Sequence, residues 1–344
     1  MVKDCVLICS LTPNCSDTLL SIAYLLSQPK LLALKGIVVN HIYPVVKAKL
    51  IKKMLVEMRR DDIPVYVGSG FRRTGKYDLE EATQFKQDYP MYEGSLPVEV
   101  SKTSDDSDEL MVEAIFQEFY TERSIKKMEV FDNGEKFLRD TLSTYCPKYP
   151  IQLLCLGALH DLNLIPDTLF KNTELWTVGS GMECFDRYGE GIMTVPSYDP
   201  MWKMSPGTVD SLLRKLAGVG CKLQVTSIRS MDVMAAHVTD EIKERWETMA
   251  ETASTITQVL VQLATLRMSD RDDGIDRLTY PIAASFCVEQ GTRTYTGFRG
   301  SVQDQELKLV PVEDRKEINF TVTLHFDKDL FDQTISHIEK ILFG

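Results

Sequence analysis

The sequence predicts an α/β fold: an open, mostly parallel, Rossmann-like sheet flanked by helices. Short apolar runs at residues 5–9 and 151–156 are typical of strands that are buried on both faces of a parallel sheet. Segments with helical spacing of apolar residues alternate with such runs. Polar turn residues follow the runs, as at Ser10 and Asn40. Together these observations predict repeated strand, loop and helix units.

Residues 5–26 form the first of these units. After the apolar run, residues 10–16 are rich in turn and helix-capping types, and Leu19, Leu20, Ala23 and Leu26 then recur at helical spacing. In an open α/β sheet, ligands bind beyond the carboxyl ends of the strands, and a helix N-terminus favours an anion. Residues 10–17 are therefore the first predicted site.

The later segments continue the pattern. The composition indicates strands at 31–39, 62–68, 175–178, 222–225 and 320–326. It indicates helices at 48–58, 110–120, 136–145 and 329–342, a helix starting near 205, and one long helix or two over 238–268. No repeat or low-complexity linker divides the chain, so we predict one domain over residues 1–344 with an insertion-like region at about 69–135.

Composition limits the functional classes. The 344 residues carry 39 Lys and Arg against 50 Asp and Glu, a formal net charge of -11, which gives no electrostatic footprint for nucleic acid or an anionic membrane. No apolar run approaches the length of a membrane span, and the first residues lack the pattern of a signal peptide, which predicts a cytoplasmic protein. The eight cysteines show no zinc-binding spacing and several lie in apolar runs, which predicts buried, reduced thiols.

The loop at residues 10–17 resembles the Asp-Xaa-Asp-Pro-Gly-Xaa-Asp-Asp motif of the inosine/uridine-type nucleoside N-ribohydrolases. With Pro13 on the motif's proline, Ser10, Thr12 and Ser16 stand where that family has aspartates, and Asp17 alone is retained. In the family this cluster holds calcium, supplies the base that activates water, and binds the ribose hydroxyls. The resemblance therefore implies a loop that is kept while most of its chemistry is lost.

Three further stretches resemble ligand-binding stretches of the family. Asn40 or His41 matches an asparagine that contacts substrate after the second strand. Ser197 and Asp199, in Pro-Ser-Tyr-Asp, match the Glu and Asn of an Ala-Glu-Phe-Asn motif that binds ribose hydroxyls. Leu156 matches the residue whose backbone carbonyl is a calcium ligand, a contact that needs no particular side chain.

Two matches depart from the family's side chains. His160 and Asp161 replace a threonine and an asparagine, and we expect Asp161 to cap the following turn. Thr279 and Tyr280 stand where the family has the His and Asp of a His-Asp-Pro motif, which assist the leaving base and bind calcium. A tyrosine cannot replace that carboxylate, because its phenol is protonated at neutral pH.

Two functions from different classes follow. In the first, the chain is a nucleoside-hydrolase-like pseudoenzyme without calcium that binds a ribosyl or nucleoside ligand or a protein partner. In the second, it is an active N-ribohydrolase or related N-glycosidase whose metal-free site uses Asp17, Asp199 and either His41 or His160. The first is favoured, because Asp17 and the Leu156 carbonyl are too few ligands for calcium. A dinucleotide-binding protein is a third option, weakened by the lack of a Gly-Xaa-Gly-Xaa-Xaa-Gly motif.

Partners are predicted only in outline. The acidic stretch 101–108 is typical of a solvated loop, and a protein partner that binds there is a hypothesis. Deletion of 101–108 without loss of any partner in a pull-down would refute it. The resemblance also implies a homo-oligomer, because family members commonly form dimers or tetramers.

Overall fold

The computed structural model describes residues 2–11, 17–40, 44–69, 114–179, 206–227, 238–269, 279–288, 293–303, 306–314, 316–326 and 328–344. The predicted site residues Thr12, Ser16, His41, Ser197 and Asp199 lie outside these ranges, as does the stretch 101–108. No helix within the described ranges is long and apolar enough to cross a membrane.

Nine strands among the described residues form one sheet. Their bounds are β1 Lys3–Cys9, β2 Leu32–Val39, β3 Val65–Val67, β4 Ile151–Leu156, β5 Thr173–Gly179, β6 Lys222–Ser227, β7 Arg293–Gln303, β8 Glu306–Pro311 and β9 Phe320–Phe326. The order across the sheet is β3-β2-β1-β4-β5-β6-β9-β7-β8. All neighbouring pairs from β3 to β9 are parallel, and β7 pairs antiparallel with both β9 and β8. The predicted open, mostly parallel α/β sheet is confirmed.

The helices are α1 Asp17–Leu26, α2 Pro44–Glu57, α3 Glu122–Lys126, α4 Gly134–Ser143, α5 His160–Asn163, α6 Pro206–Val219, α7 Asp240–Ala250, α8 Thr255–Ser269, α9 Thr279–Val288 and α10 Lys328–Phe343. A 3-10 helix covers Asp167–Asn172, and residues 114–119 are also helical. The stretch 238–268 thus forms two helices, because capping residues Thr239 and Ser254 each start one. The predicted third strand shortens to three residues, and α2 starts at Pro44 rather than at 48.

The core lies on both faces of the parallel strands. Residues 5–9 of β1 and 151–156 of β4 are almost fully buried, as their continuous apolar sequences predict. Helix α1 is buried on every side, and it packs against α9 and α10. Since these central strands are fixed on both faces, the residues that directly follow their carboxyl ends stand on a rigid platform.

Candidate ligand site at the carboxyl edge of the sheet

The carboxyl ends of four neighbouring strands are aligned. Cys9 of β1 is in register with Val39 of β2 and Leu156 of β4, and Val39 is in register with Val67 of β3. The residues that follow these strands therefore form the next row along the edge: Gly68, Asn40, Ser10 and Gly157. The strand order reverses at β1 and β4, because β2 lies on one side of β1 and β4 on the other. Such a switch point is where open α/β sheets bind ligands.

A buried group of polar residues spans this row, and we call Asn40, Ser69, Asp161 and the Ala158 carbonyl the amide cluster. Asn40 and Asp161 are both fully buried. The Asn40 Nδ2 donates to the Ala158 carbonyl at 2.8 Å and to Asp161 Oδ2 at 2.6 Å. Asp161 Oδ1 accepts from the backbone N–H and the hydroxyl of Ser69, both at 2.7 Å. The cluster thereby links the exits of β2, β3 and β4.

One buried atom of the amide cluster has no hydrogen-bond partner. The Asn40 Oδ1 is buried and has no hydrogen-bond partner, whereas most buried polar atoms in native proteins have one. A Cβ on Gly157 would lie 2.7 Å from this oxygen and also 2.7 Å from the Ser10 backbone nitrogen. The oxygen therefore sits at the switch point, and only glycine fits at position 157.

A second buried group joins two helix starts, and we call Asp17 and Tyr280 the helix-end cluster. Asp17 is the first residue of α1 and is 1% exposed, while Tyr280 is the second residue of α9 and is 5% exposed. The Asp17 Oδ2 accepts a hydrogen bond from the Tyr280 backbone N–H at 3.0 Å. Both helix N-termini carry partial positive charge, which a carboxylate stabilises.

The structure brings together two residues that the sequence places far apart. Asp17 and Tyr280 meet although they are 263 residues apart, as the resemblance implied for the first loop and the Thr279-Tyr280 stretch. Ser10, in the same first loop, is buried, and its carbonyl accepts from the Thr18 hydroxyl at 3.1 Å. Thr279 opens α9, and only its backbone is described.

Other predicted residues have different surroundings from those expected. The prediction that Asp161 caps the next turn is wrong: Leu159 is at that cap position, and the Asp161 carboxylate instead binds Asn40 and Ser69. Leu156 is the last residue of β4 and is buried. His160 opens α5, and its side chain lies outside the described part of the chain.

Sequence reasoning missed two residues of this edge. Ser69 carries no motif, and its contact with Asp161 spans 92 residues, so no local signal could have revealed it. Lys47 lies in the first turn of α2 and is only 2% exposed, although lysine is rarely buried unless it is paired. The apolar residues on both sides of Lys47 were the available signal that it is buried. The predicted helix, however, began at residue 48 and so excluded it.

A buried thiol lies beside the amide cluster. The Cys155 Sγ is 3.6 Å from the Gly157 carbonyl, to which it donates a weak hydrogen bond. Burial raises the pKa of this thiol to about 12, with a smaller contribution from the Asp161 charge. Burial likewise raises the pKa of Cys9, the last residue of β1. Both thiols are protonated at neutral pH and are unsuited to act as nucleophiles.

Among the residues that the structure describes, no group of three or more His, Cys, Asp or Glu side chains is arranged to hold a metal ion. The oxygens that the resemblance offers to calcium within that part are the Asp17 carboxylate and the Leu156 carbonyl. Calcium takes six to eight oxygens, several of them from carboxylates. This donor set does not fit calcium.

Comparison with known proteins identifies the fold. No protein-family model matches the chain, and no curated protein matches its sequence. Among solved structures, a plant nucleoside hydrolase is 16% identical over 100% of both chains, with a TM-score of 0.66. The purine-preferring ribonucleoside hydrolase from Gardnerella vaginalis is 12% identical over 98% of this chain and 99% of its own, with a TM-score of 0.65.

A third structure adds a ligand to the comparison. The type III effector protein XopQ, solved in complex with adenosine diphosphate ribose, is 12% identical over 99% of this chain and 95% of its own, with a TM-score of 0.63. Taken together, these likenesses show that the chain has the nucleoside hydrolase fold, which confirms the predicted resemblance at the level of the fold. A shared fold does not carry a shared activity.

Proposed function

We propose that this chain is a nucleoside-hydrolase-like pseudoenzyme that binds a ribosyl or nucleoside ligand at the switch point and lacks calcium-dependent hydrolysis. The observation that carries the proposal is the hydrogen bond from the Tyr280 backbone N–H to Asp17 Oδ2. The one aspartate retained from the family's first-loop motif is thereby used to hold the start of α9. Its role is that of a helix cap between two elements.

The electrostatics of the helix-end cluster support a site without calcium. Asp17 stands at the start of α1 and contacts the start of α9, so two positive helix ends surround one carboxylate. These partial charges offset the negative charge that would otherwise attract a divalent cation. The neighbouring positions Ser10, Thr12 and Ser16 supply hydroxyls rather than carboxylates.

Loss of hydrolysis follows from the same residues. Hydrolysis of an N-ribosidic bond requires a group that accepts a proton from the attacking water, and metal binding helps to acidify that water. Hydroxyls at positions 12 and 16 cannot accept this proton at physiological pH. Tyr280 stands where the family has its second-loop carboxylate, and its phenol is neutral at that pH.

Retention of a ribosyl ligand is supported by two different observations. The structures that share this fold over nearly the whole chain include nucleoside hydrolases and an effector bound to adenosine diphosphate ribose. Within this chain, the amide cluster keeps hydrogen-bonded polar side chains buried at the switch point. Because burying polar groups is costly, a site that had lost every ligand would be expected to have apolar residues at these positions.

The test combines a binding assay with a reaction assay. We expect isothermal titration calorimetry to detect inosine or adenosine binding in the presence of a chelator. We expect no release of the free base from either nucleoside after prolonged incubation with calcium. Base release that an Asp17→Asn variant abolishes would instead establish the second function, an active N-ribohydrolase that uses Asp17. A lack of nucleoside binding would refute the ligand and leave a protein partner as the remaining role.

A further inference from the structure

We propose that Asp161 is a positioning residue that sets the hydrogen-bonding polarity of the ligand site. By accepting one N–H of Asn40, it holds the amide so that Oδ1 is the atom left at the switch point. The site then selects a ligand that donates a hydrogen bond at this point. This inference rests on the proposed function and deepens it.

The orientation of the Asn40 amide is forced by its surroundings. The two groups that it contacts are a backbone carbonyl, at Ala158, and the Asp161 carboxylate. Both are acceptors, so the NH₂ end of the amide must face them. The opposite orientation would place Oδ1 against two other oxygens. The unpartnered Oδ1 is therefore a consequence of Asp161 acting together with the Ala158 carbonyl.

The position of this oxygen points to a ligand. A Cβ on Gly157 would lie 2.7 Å from both this atom and the Ser10 backbone nitrogen, so the atom lies near the residues that follow β1 and β4. This is the crevice at which the strand order reverses. An unpaired buried acceptor is costly, and at such a place a ligand donor offsets the cost.

The chemistry of the acceptor defines the ligand class. A lone amide oxygen binds a hydroxyl or an N–H and gains nothing from an ether, a carbonyl or a fully ionised phosphate oxygen. In a ribosyl ligand, the ribose hydroxyls are such donors. We therefore expect one ribose hydroxyl to donate a hydrogen bond to Asn40 Oδ1, in the amide orientation that Asp161 helps to fix.

An Asp161→Asn variant removes the fixed orientation of the Asn40 amide with little change of shape. The new amide still accepts from Ser69 through its oxygen, but its NH₂ end faces the Asn40 NH₂. Two donors repel in this orientation, and the turned amide would place its oxygen against the Ala158 carbonyl, so neither orientation of Asn40 satisfies its neighbours and Oδ1 is no longer held at the switch point. Ser69→Ala is the matched control, because it removes one donor to Asp161 and leaves the bond from Asn40 in place.

The experiment titrates adenosine and its 2′-, 3′- and 5′-deoxy analogues by calorimetry. In the wild-type protein we expect one deoxy analogue to bind about tenfold more weakly than adenosine, because the Asn40 oxygen is left unpaired. In Asp161→Asn we expect that difference to vanish, while Ser69→Ala retains it. If Asp161→Asn does not fold, Asn40→Ala removes the acceptor and is expected to abolish the same difference.

Three results would overturn the inference, and they distinguish its failure from that of the proposed function. If adenosine binds the wild type and all three deoxy analogues bind equally well, Asn40 reads no hydroxyl and the inference is wrong while the proposed function stands. The same holds if Asp161→Asn keeps the wild-type preference. If the wild type binds none of the four compounds, the proposed ligand is refuted and the inference fails with it.

Discussion

Asp17 and Asp161 are buried aspartates at the same edge of the sheet, at 1% and 0% exposure, yet their carboxylates act differently. Asp17 accepts from the backbone N–H that opens α9, a donor whose position the helix already fixes. Asp161 accepts from a side-chain amide, and together with the Ala158 carbonyl it fixes which end of that amide stays unpaired. Both carboxylates thus hold backbone N–H groups, at Tyr280 and Ser69, but only Asp161 also orients a side-chain amide.

The largest expected effect concerns the glycine beneath the amide cluster. In Gly157→Ala, the new Cβ would meet Asn40 Oδ1 and the Ser10 nitrogen at 2.7 Å and the Cys9 carbonyl carbon at 2.8 Å. Two of these atoms are backbone and cannot move away cheaply, so we expect a loss of about 2 to 3 kcal/mol in the free energy of unfolding. Urea denaturation measures it.

The control for this change is Gly218→Ala in α6. A Cβ there meets nothing within 4 Å, and alanine is the better helix former, so we expect a gain of about 0.5 to 1 kcal/mol. Equal effects of the two substitutions would show that the contacts at Gly157 are not those described here.

The next effect separates the two aspartates. Asp161→Ala leaves the Ser69 N–H and one Asn40 N–H without their acceptor in a buried place. We expect a loss of about 2 kcal/mol in the free energy of unfolding, since unpaired buried donors keep their full desolvation cost. A neutral result in urea denaturation would mean that water reaches this cluster, and the buried amide would then have no fixed orientation.

A smaller effect appears at alkaline pH. Burial raises the pKa of Cys155 from an ordinary value near 9 to about 12, so this thiol stabilises the fold below pH 9 and the contribution is lost as pH rises towards 12. At pH 10 the expected loss is about 1.4 kcal/mol relative to pH 8. Cys155→Ala is expected to remove that part of the loss. If the free energy of unfolding falls equally with pH in both proteins, the Cys155 thiol is in contact with water and its pKa is not raised by burial.

The smallest effect tests the helix-end cluster. Asp17→Asn keeps an oxygen that can accept from the Tyr280 N–H but loses the charge that faces two helix N-termini. We expect a loss of about 0.5 to 1 kcal/mol in the free energy of unfolding, reduced by salt. A thermal shift of the variant at low and high ionic strength checks this, and a salt-independent shift would contradict the helix-end role.

The sequence allowed prediction of the sheet wherever apolar residues are continuous or alternate along a strand. The bounds of β4 and β9 were predicted to the residue, because continuous or alternating apolar runs are strong signals. Helix α9 was not predicted. Residues 280 and 282–288 within it are nearly all buried, so no polar face marks a helical period. The hairpin of β7 and β8 was missed because β7 is largely polar and β8 is only six residues long with two charged side chains.

The location of the candidate site could be predicted from the sequence, but most of its side-chain contacts could not. The meeting of Asp17 with Tyr280 followed from resemblance to a fold in which the same two loops converge. The contacts of Asp161 did not, because they join Asn40 and Ser69 across 121 and 92 residues without a motif. Such long-range pairing depends on strand register, which the sequence of one strand does not specify.

The central claim is that the switch point binds a ribosyl ligand and no calcium, and one measurement addresses it directly. Chelator-treated protein is titrated with calcium by isothermal titration calorimetry, and then with ribose and inosine. We predict no heat of calcium binding up to millimolar concentration and inosine binding that is the same with and without calcium. Calcium binding at micromolar concentration or tighter would contradict the account, because Asp17 would then be a metal ligand rather than the cap of α9.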